Sequence, residues 1–98
     1  MRADYDSEAD ALDIKITPFE RYERQEQVHD SYCTVGFSGG QLVDVELLTP
    51  AEHLDLLDVA AQRYGLDGAA LLAAAQAALA APDRVVQLTA RLCSAPAG

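Results

Sequence analysis

Basic residues, cysteine and tryptophan are scarce in this chain. Its 98 residues include seven Lys and Arg against sixteen Asp and Glu, and the formal net charge is −9. A nucleic-acid-binding protein needs a basic surface to displace counterions from phosphates, and anionic membranes attract the same kind of surface. We therefore expect no nucleic acid and no membrane as partner. A basic protein, by contrast, would be attracted to this chain.

Long apolar runs are also missing, although half of the residues are apolar. No stretch is long enough to cross a bilayer, and Met1 and Arg2 lead into acidic residues rather than into a signal peptide. We expect a cytoplasmic protein with one domain and one modest core. The two cysteines, Cys33 and Cys93, are too few for a disulfide framework, so we predict free thiols.

The N-terminal segment alternates between apolar and polar residues, which predicts a β-hairpin. Opposing residues share a face, so the apolar side chains stay together when Tyr5 lies opposite Leu12 and Ala3 opposite Ile14. The connection is then a four-residue loop, residues 7–10.

Acidic residues are concentrated in this hairpin. An EF-hand counted from Asp4 needs Gly at its sixth position and Glu at its twelfth, but Ala9 and Lys15 stand there. We interpret Asp6 and Asp10 as turn residues whose side chains bind nearby backbone N–H groups.

The predicted register also places Asp4 opposite Asp13 on the solvent face, with Cβ atoms about 5 Å apart. Three interpretations remain open. The pair is a screened surface cluster, or one carboxyl has a raised pKa, or a cation binds between them. Asp4 and Asp13 are the weak metal candidates of this sequence, which predicts no cofactor and no catalytic residue.

The next segments predict a polar edge strand at residues 22–28 and a second hairpin after it. A three-residue loop, residues 38–40, places Val35 opposite Val43 and Cys33 opposite Val45. Gly40 is then expected to adopt a left-handed conformation as a bulge.

The pattern then changes to a helical period. Thr49 is the predicted N-cap, with Pro50 at the first helical position and Glu52 three residues after the cap. This helix is expected to run to Tyr64 and to end at Gly65.

Asp67 is expected to cap a second, Ala-rich helix that stops at Pro82. Residues 84–92 predict a last strand, with a short helix as the alternative, and residues 93–98 a tail. The fold class is α+β: an antiparallel sheet of five or six strands packed on two C-terminal helices, in a single domain that covers residues 1–98. Residues 1–48 are expected to form a β-meander of hairpins.

Two motifs, "YDSEADALDIKI" and "GGQLVDVELL", resemble a family of small prokaryotic proteins known as domain of unknown function 2283. The resemblance covers residues 1 to about 48 and implies small antiparallel hairpins followed by a helix. It marks Asp6, Asp10 and Glu46 as motif positions. Asp13 replaces the aromatic residue usual in the family, and the family implies no activity.

The residues that could carry chemistry do not form a recognisable pattern. His29 and Cys33 lie too far apart on an extended chain to share a zinc ion, and "GFSGG" is not a nucleophile elbow. The turn "YGLD" suits a helix-turn-helix, but Glu52, Asp55 and Asp58 outnumber Arg63 on the two helices. We expect the helices to cover one face of the sheet.

The sequence therefore predicts a non-enzymatic interaction protein that self-associates, as a homodimer. One alternative is an acidic, antitoxin-like partner of a basic protein, suggested by the net charge of −9. Another is a cation-binding module that uses Asp4 and Asp13 or the acidic loop.

Overall fold

The computed structural model describes residues 1–29 and 32–88 and has an α+β fold. Its main elements, in chain order, are β1 (Arg2–Asp6), β2 (Ala11–Lys15), β3 (Arg24–His29), β4 (Cys33–Ser38), β5 (Gln41–Leu48), α1 (Asp55–Tyr64), α2 (Gly68–Ala80) and β6 (Val85–Gln87). The strands form one antiparallel sheet in the order β3-β4-β5-β2-β1-β6. The helices pack against it, as predicted.

The first hairpin has the register predicted from its alternation. Tyr5 pairs with Leu12, Ala3 with Ile14 and Asp4 with Asp13. The loop is residues 7–10, because β1 ends at Asp6 and β2 begins at Ala11. Leu12 and Ile14 are fully buried, so the apolar face of this hairpin lies in the core.

The two hairpins do not form a simple meander, contrary to our expectation. Strand β2 pairs with β5, and β3 lies at the far edge of the sheet. Residues 16–23, which we call the crossing segment, therefore connect two strands that are not neighbours. The polar composition of β3 agrees with its edge position, where charged side chains discourage pairing with other chains.

The predicted register of the second hairpin is wrong. Ser38 pairs with Gln41, so the turn has two residues, Gly39 and Gly40, with φ of 63° and 75°. Both angles are left-handed, as two-residue hairpin turns favour. The extra residue is Val43, because Phe37 pairs with Leu42 and Gly36 with Asp44.

Beyond the bulge, the pairing is shifted by two residues relative to our prediction, one from the shorter turn and one from Val43. Val35 pairs with Val45 rather than with Val43, and Cys33 pairs with Leu47. Gly40 is left-handed as expected, but the bulge is not there. Val43 is buried outside the main core cluster.

The first helix begins later than the sequence predicts. Thr49 has a left-handed backbone (φ 48°) and its side chain makes no capping hydrogen bond. Pro50–Glu52 form a short 3-10 helix, and α1 starts only at Asp55. The expected capping box is therefore absent from this part of the chain, since Glu52 contacts Thr49 through its backbone N–H alone, 3.0 Å from the carbonyl oxygen.

The other helix ends agree with the prediction. Gly65 ends α1 with φ of 70°, and the Asp67 side chain accepts a hydrogen bond from the Ala70 N–H at 3.1 Å. The last strand is present over Val85–Gln87 and pairs with β1. The remainder of the predicted strand beyond Leu88, and the tail, lie outside the described residues.

The core lies between one face of the sheet and the two helices. Strands β2, β3, β4 and β5 contribute branched side chains such as Ile14, Val35 and Leu47. Helix α2 contributes small buried residues, Ala74, Ala75 and Ala78. Because these side chains are short, α2 can lie close to the sheet, and the other face of the sheet is left to polar residues.

Gly36 allows the crossing segment to lie on that polar face. A Cβ atom at this position would be 2.4 Å from Cε1 of Tyr22, which is closer than two carbon atoms approach. We expect Gly36→Ala to lower the free energy of unfolding by about 1–3 kcal/mol, because the Tyr22 ring must move. Chemical denaturation measures this. The same substitution made in a Tyr22→Ala background should cost clearly less, and equal costs in both backgrounds would contradict the contact.

Candidate functional site

Three carboxylates stand side by side on the polar face of the sheet. Asp4 on β1 pairs with Asp13 on β2, and Asp13 pairs in turn with Glu46 on β5. All three are half-buried. We call Asp4, Asp13 and Glu46 the carboxylate row. Directly opposed like charges destabilise a sheet, so this arrangement has an energetic cost.

The row has fewer positive charges than negative ones. Lys15 forms an ion pair with Oδ2 of Asp13. The pKa of Lys15 is raised: its partial burial would lower the value, but the bond to Asp13 and the charges of Asp13, Asp44 and Asp4 outweigh burial. Arg2 lies opposite Lys15 in the strand register. Lys15 and Arg2, the two cationic side chains that act on Asp4, are therefore outnumbered by the three carboxylates of the row.

The pKa values of the outer members of the row reflect this imbalance. Burial raises the pKa of Asp4, and the charge of Asp13 raises it further. The same two causes, in the same order, raise the pKa of Glu46. The charged form of both carboxylates is therefore less favourable in the folded chain than it would be in water.

Asp44 is the most buried charged residue of the described chain, with 2% of its surface exposed. The Tyr22 hydroxyl donates a hydrogen bond of 2.7 Å to its Oδ2. Its Oδ1 and the Oδ1 of Asp13 are both buried and lack a donor as long as both groups are ionised. Burial, followed by a hydrogen bond with Asp13, raises the pKa of Asp44 to about 8.

These observations share one physical explanation. A proton on Asp44 makes this carboxyl a donor to Asp13, and both buried oxygens are then satisfied. Such a carboxyl–carboxylate pair is stable because two carboxyl groups in contact repel each other strongly when both are ionised. The sheet therefore holds a neutral Asp44 against Asp13 up to about pH 8.

The crossing segment covers Asp44 but leaves the carboxylate row partly exposed. The Tyr22 ring lies on Gly36, and Phe19 packs against Tyr22 with ring centroids 4.8 Å apart. Lys15 Nζ is 5.8 Å from the centre of the Phe19 ring. These contacts fix the segment over one side of the polar face. Burial and the bond to Asp44 also raise the pKa of Tyr22, so its hydroxyl stays a donor.

The residues that the resemblance marks as motif positions lie in two places. Oδ1 of Asp6 accepts hydrogen bonds from the N–H groups of Glu8 and Ala9, as expected for a turn residue. Asp10 has φ of 54° and accepts a 2.6 Å bond from the Tyr5 hydroxyl rather than from a backbone N–H. Glu46 belongs to the carboxylate row.

Asp44 and Tyr22 were not anticipated from the sequence. Asp44 stands between two valines in a predicted strand, which placed it on the polar face but gave no sign of its burial. Its burial depends on the crossing segment and on the pairing of β2 with β5, and neither follows from local alternation.

The separation that we argued for His29 and Cys33 is wrong. The two residues are partners across the β3–β4 hairpin, so their Cα atoms are close. Cys33 points into the core with no exposed surface, and burial raises its pKa to about 11. Within residues 1–29 and 32–88, no three His, Cys, Asp or Glu side chains are placed to hold a metal ion together.

Comparisons with known proteins identify no relative of this chain. No protein-family model matches the chain, and neither the curated proteins nor the solved structures contain a match. In the part of the chain that the structure describes, no helix has the length and apolar character needed to cross a membrane. The resemblance to the domain of unknown function therefore stays a prediction.

The proton on Asp44 makes the stability of the fold depend on pH. Folded Asp44 keeps its proton up to about pH 8, whereas the unfolded carboxyl loses it near its ordinary value of 3.8. The folded state thus binds more protons in this window, and stability falls as pH rises through it. As pH rises from about 5 to about 9, we expect the free energy of unfolding of Asp44→Asn to increase by at least about 1.4 kcal/mol relative to that of the natural chain.

The asparagine suits this test because its amide can donate to Asp13 and accept from Tyr22. Melting temperatures of the two proteins across the pH range provide the measurement. Asp55→Asn, which removes an exposed carboxylate from α1, serves as the control and should run parallel to the natural chain. If the melting temperature of Asp44→Asn also ran parallel to that of the natural chain across the pH range, Asp44 would not hold a proton in the folded state.

Proposed function

We propose that this chain is a non-enzymatic interaction protein that binds a basic protein partner through the carboxylate row. The observation that carries the proposal is the placement of Asp4, Asp13 and Glu46 on three adjacent strands of one exposed face. Carboxylates in this arrangement accept hydrogen bonds from guanidinium or ammonium groups, and charge-assisted bonds of this kind are strong. The net charge of −9 adds long-range attraction for such a partner.

The cost of the row supports a role in binding rather than in stability. The raised pKa values of Asp4 and Glu46 indicate that the folded chain is less stable with both groups ionised. A cationic side chain of a partner would relieve this repulsion on binding. A local cost in stability of this kind is typical of functional sites.

A catalytic role for the same face has less support. Asp44 holds a proton near neutral pH and has the pKa of a general acid. A substrate would have to reach it, but its side chain is 2% exposed and lies beneath Tyr22. We therefore infer that Asp44 has a structural role in this face of the sheet and that the carboxylate row binds the partner.

The homodimer expected from the sequence remains a prediction. Two copies that each carry a charge of −9 repel one another at long range, which favours a basic partner over a second copy. The cation expected from the sequence at Asp4 and Asp13 has less support, because no three such side chains in the described part of the chain are placed to hold one. Calcium titration followed by thermal melting separates that case, because a bound cation raises the melting temperature by mass action.

Binding of a defined cationic probe tests the proposal. We expect an unstructured oligoarginine peptide to bind the natural chain and to bind Asp4→Asn/Asp13→Asn/Glu46→Gln about tenfold more weakly, because guanidinium groups lose their acceptors. Fluorescence anisotropy at low and physiological salt measures the affinity.

The control variant removes the same amount of charge elsewhere. Glu8→Gln/Glu20→Gln/Glu52→Gln neutralises three exposed carboxylates outside the row, and it should weaken binding only slightly. If both triple variants lose affinity equally, net charge rather than the row attracts the probe, and the proposed site is wrong.

Neutralising one end of the row should also stabilise the fold. We expect Asp4→Asn to raise the free energy of unfolding by roughly 0.5 kcal/mol near neutral pH, because Asp13 loses a like-charged neighbour. The effect should fade in acid, where Asp4 is protonated and uncharged in the natural chain too. Urea denaturation at both pH values measures it, and a loss of stability near neutral pH would mean that Asp4 contributes a favourable interaction.

A further inference from the structure

A groove lies between the first turns of α1 and α2, on the opposite side of the sheet from the carboxylate row. Its volume is about 370 Å³. The apolar lining comes from Leu54, Leu57, Ala69 and Leu72, and the two carboxylates along it belong to Asp55 and Asp58. We call this feature the helix groove.

Apart from the exposed Gln76, helix α2 is apolar on its outer side as well as on the side that faces the core. Its thirteen residues include no charged side chain. Leu72 is 37% exposed, and Ala69 and Ala73 beside it are also exposed. A helix that is apolar all round is normally buried all round, so the outer side of α2 has the composition of a covered surface.

The charges around the groove indicate what kind of partner it can bind. Asp55 and Asp58 project from the first turn of α1, and none of the described lining residues is basic. Asp58 Oδ2 accepts a hydrogen bond from Gln62 at 3.0 Å, and its Oδ1 lies next to Gly68 at the start of α2. A second copy of this chain would bring a net charge of −9 to these carboxylates, whereas a cationic segment would pair with them.

We propose that the helix groove binds a positively charged amphipathic helix of a partner protein, with apolar side chains on Leu54, Ala69 and Leu72, above the buried Leu57, and basic groups on Asp55 and Asp58. Grooves between two helices accept the side-chain ridge of a third helix, and apolar anchors at helical spacing are the usual mode. The proposal rests on the proposed function insofar as the partner is basic, but it uses a separate surface.

Two synthetic peptides of identical composition test it. One arranges leucine and lysine so that a helix has one apolar stripe, and the other has the same residues in scrambled order. Both carry the same charge, so any difference in affinity reports the apolar groove. We expect the amphipathic peptide to bind the natural chain about tenfold more tightly than the scrambled one.

Leu72→Gln should abolish this preference, since it places a polar side chain in the groove. Val59→Gln is the matched control, because Val59 is an apolar residue of α1 with 39% exposure that does not line the groove. It should leave the preference unchanged. Both positions are exposed, so the fold should tolerate both substitutions, and circular dichroism checks this.

The two proposals fail separately in these experiments. The triple variant of the carboxylate row should keep the preference for the amphipathic peptide, and Leu72→Gln should keep its affinity for oligoarginine. Equal affinity for the two synthetic peptides, or a preference that survives Leu72→Gln, would overturn the groove proposal. So would a free chain that sediments as a dimer and becomes a monomer on Leu72→Gln, since a second copy would then occupy the groove.

Discussion

The pairing of β2 with β5 is the constraint on which the rest of this structure depends. It joins two hairpins that are distant in sequence into one sheet. On the inner face it brings Leu12 and Ile14 next to Leu47 and Val45, which form the centre of the core. On the outer face the same register places Asp13 beside Glu46. Core and candidate site are therefore two sides of one set of strand pairs.

Much of the fold could be read from local patterns, because hairpins and helices depend on nearby residues. The register of the first hairpin follows from its alternation, and Gly65 and Asp67 mark helix ends by their own conformational and hydrogen-bonding preferences. The second hairpin could not be read in this way. A bulge at Val43 adds one residue to the strand, and two consecutive glycines are compatible with more than one turn length.

The helix start shows a different limit of sequence reasoning. Thr49, Pro50 and Glu52 have the spacing of a capping box, yet the chain must first turn away from β5. Thr49 adopts a left-handed backbone to do so, and its N–H donates to the Asp10 carbonyl at 2.9 Å. A tertiary hydrogen bond thus overrides a local preference.

The candidate site was only partly predictable for the same reason. Asp4 and Asp13 meet within one hairpin, so the alternation was enough to place them together. Glu46 joins them through the non-local β2–β5 pairing, and Asp44 is buried by a segment that has no regular structure of its own. Residues whose environment is made by distant parts of the chain carry no local signature.

The crossing segment has a consequence for the order in which the chain assembles. Each hairpin can form from neighbouring residues within microseconds, whereas β2 and β5 must close a long loop before they meet. Tyr22 can bond Asp44 over Gly36 only when β4 and β5 are paired. The crossing segment is therefore expected to pack onto the sheet late in folding, after the hairpins that it connects. The hydrogen bond of the Tyr22 hydroxyl would then form only on a completed sheet.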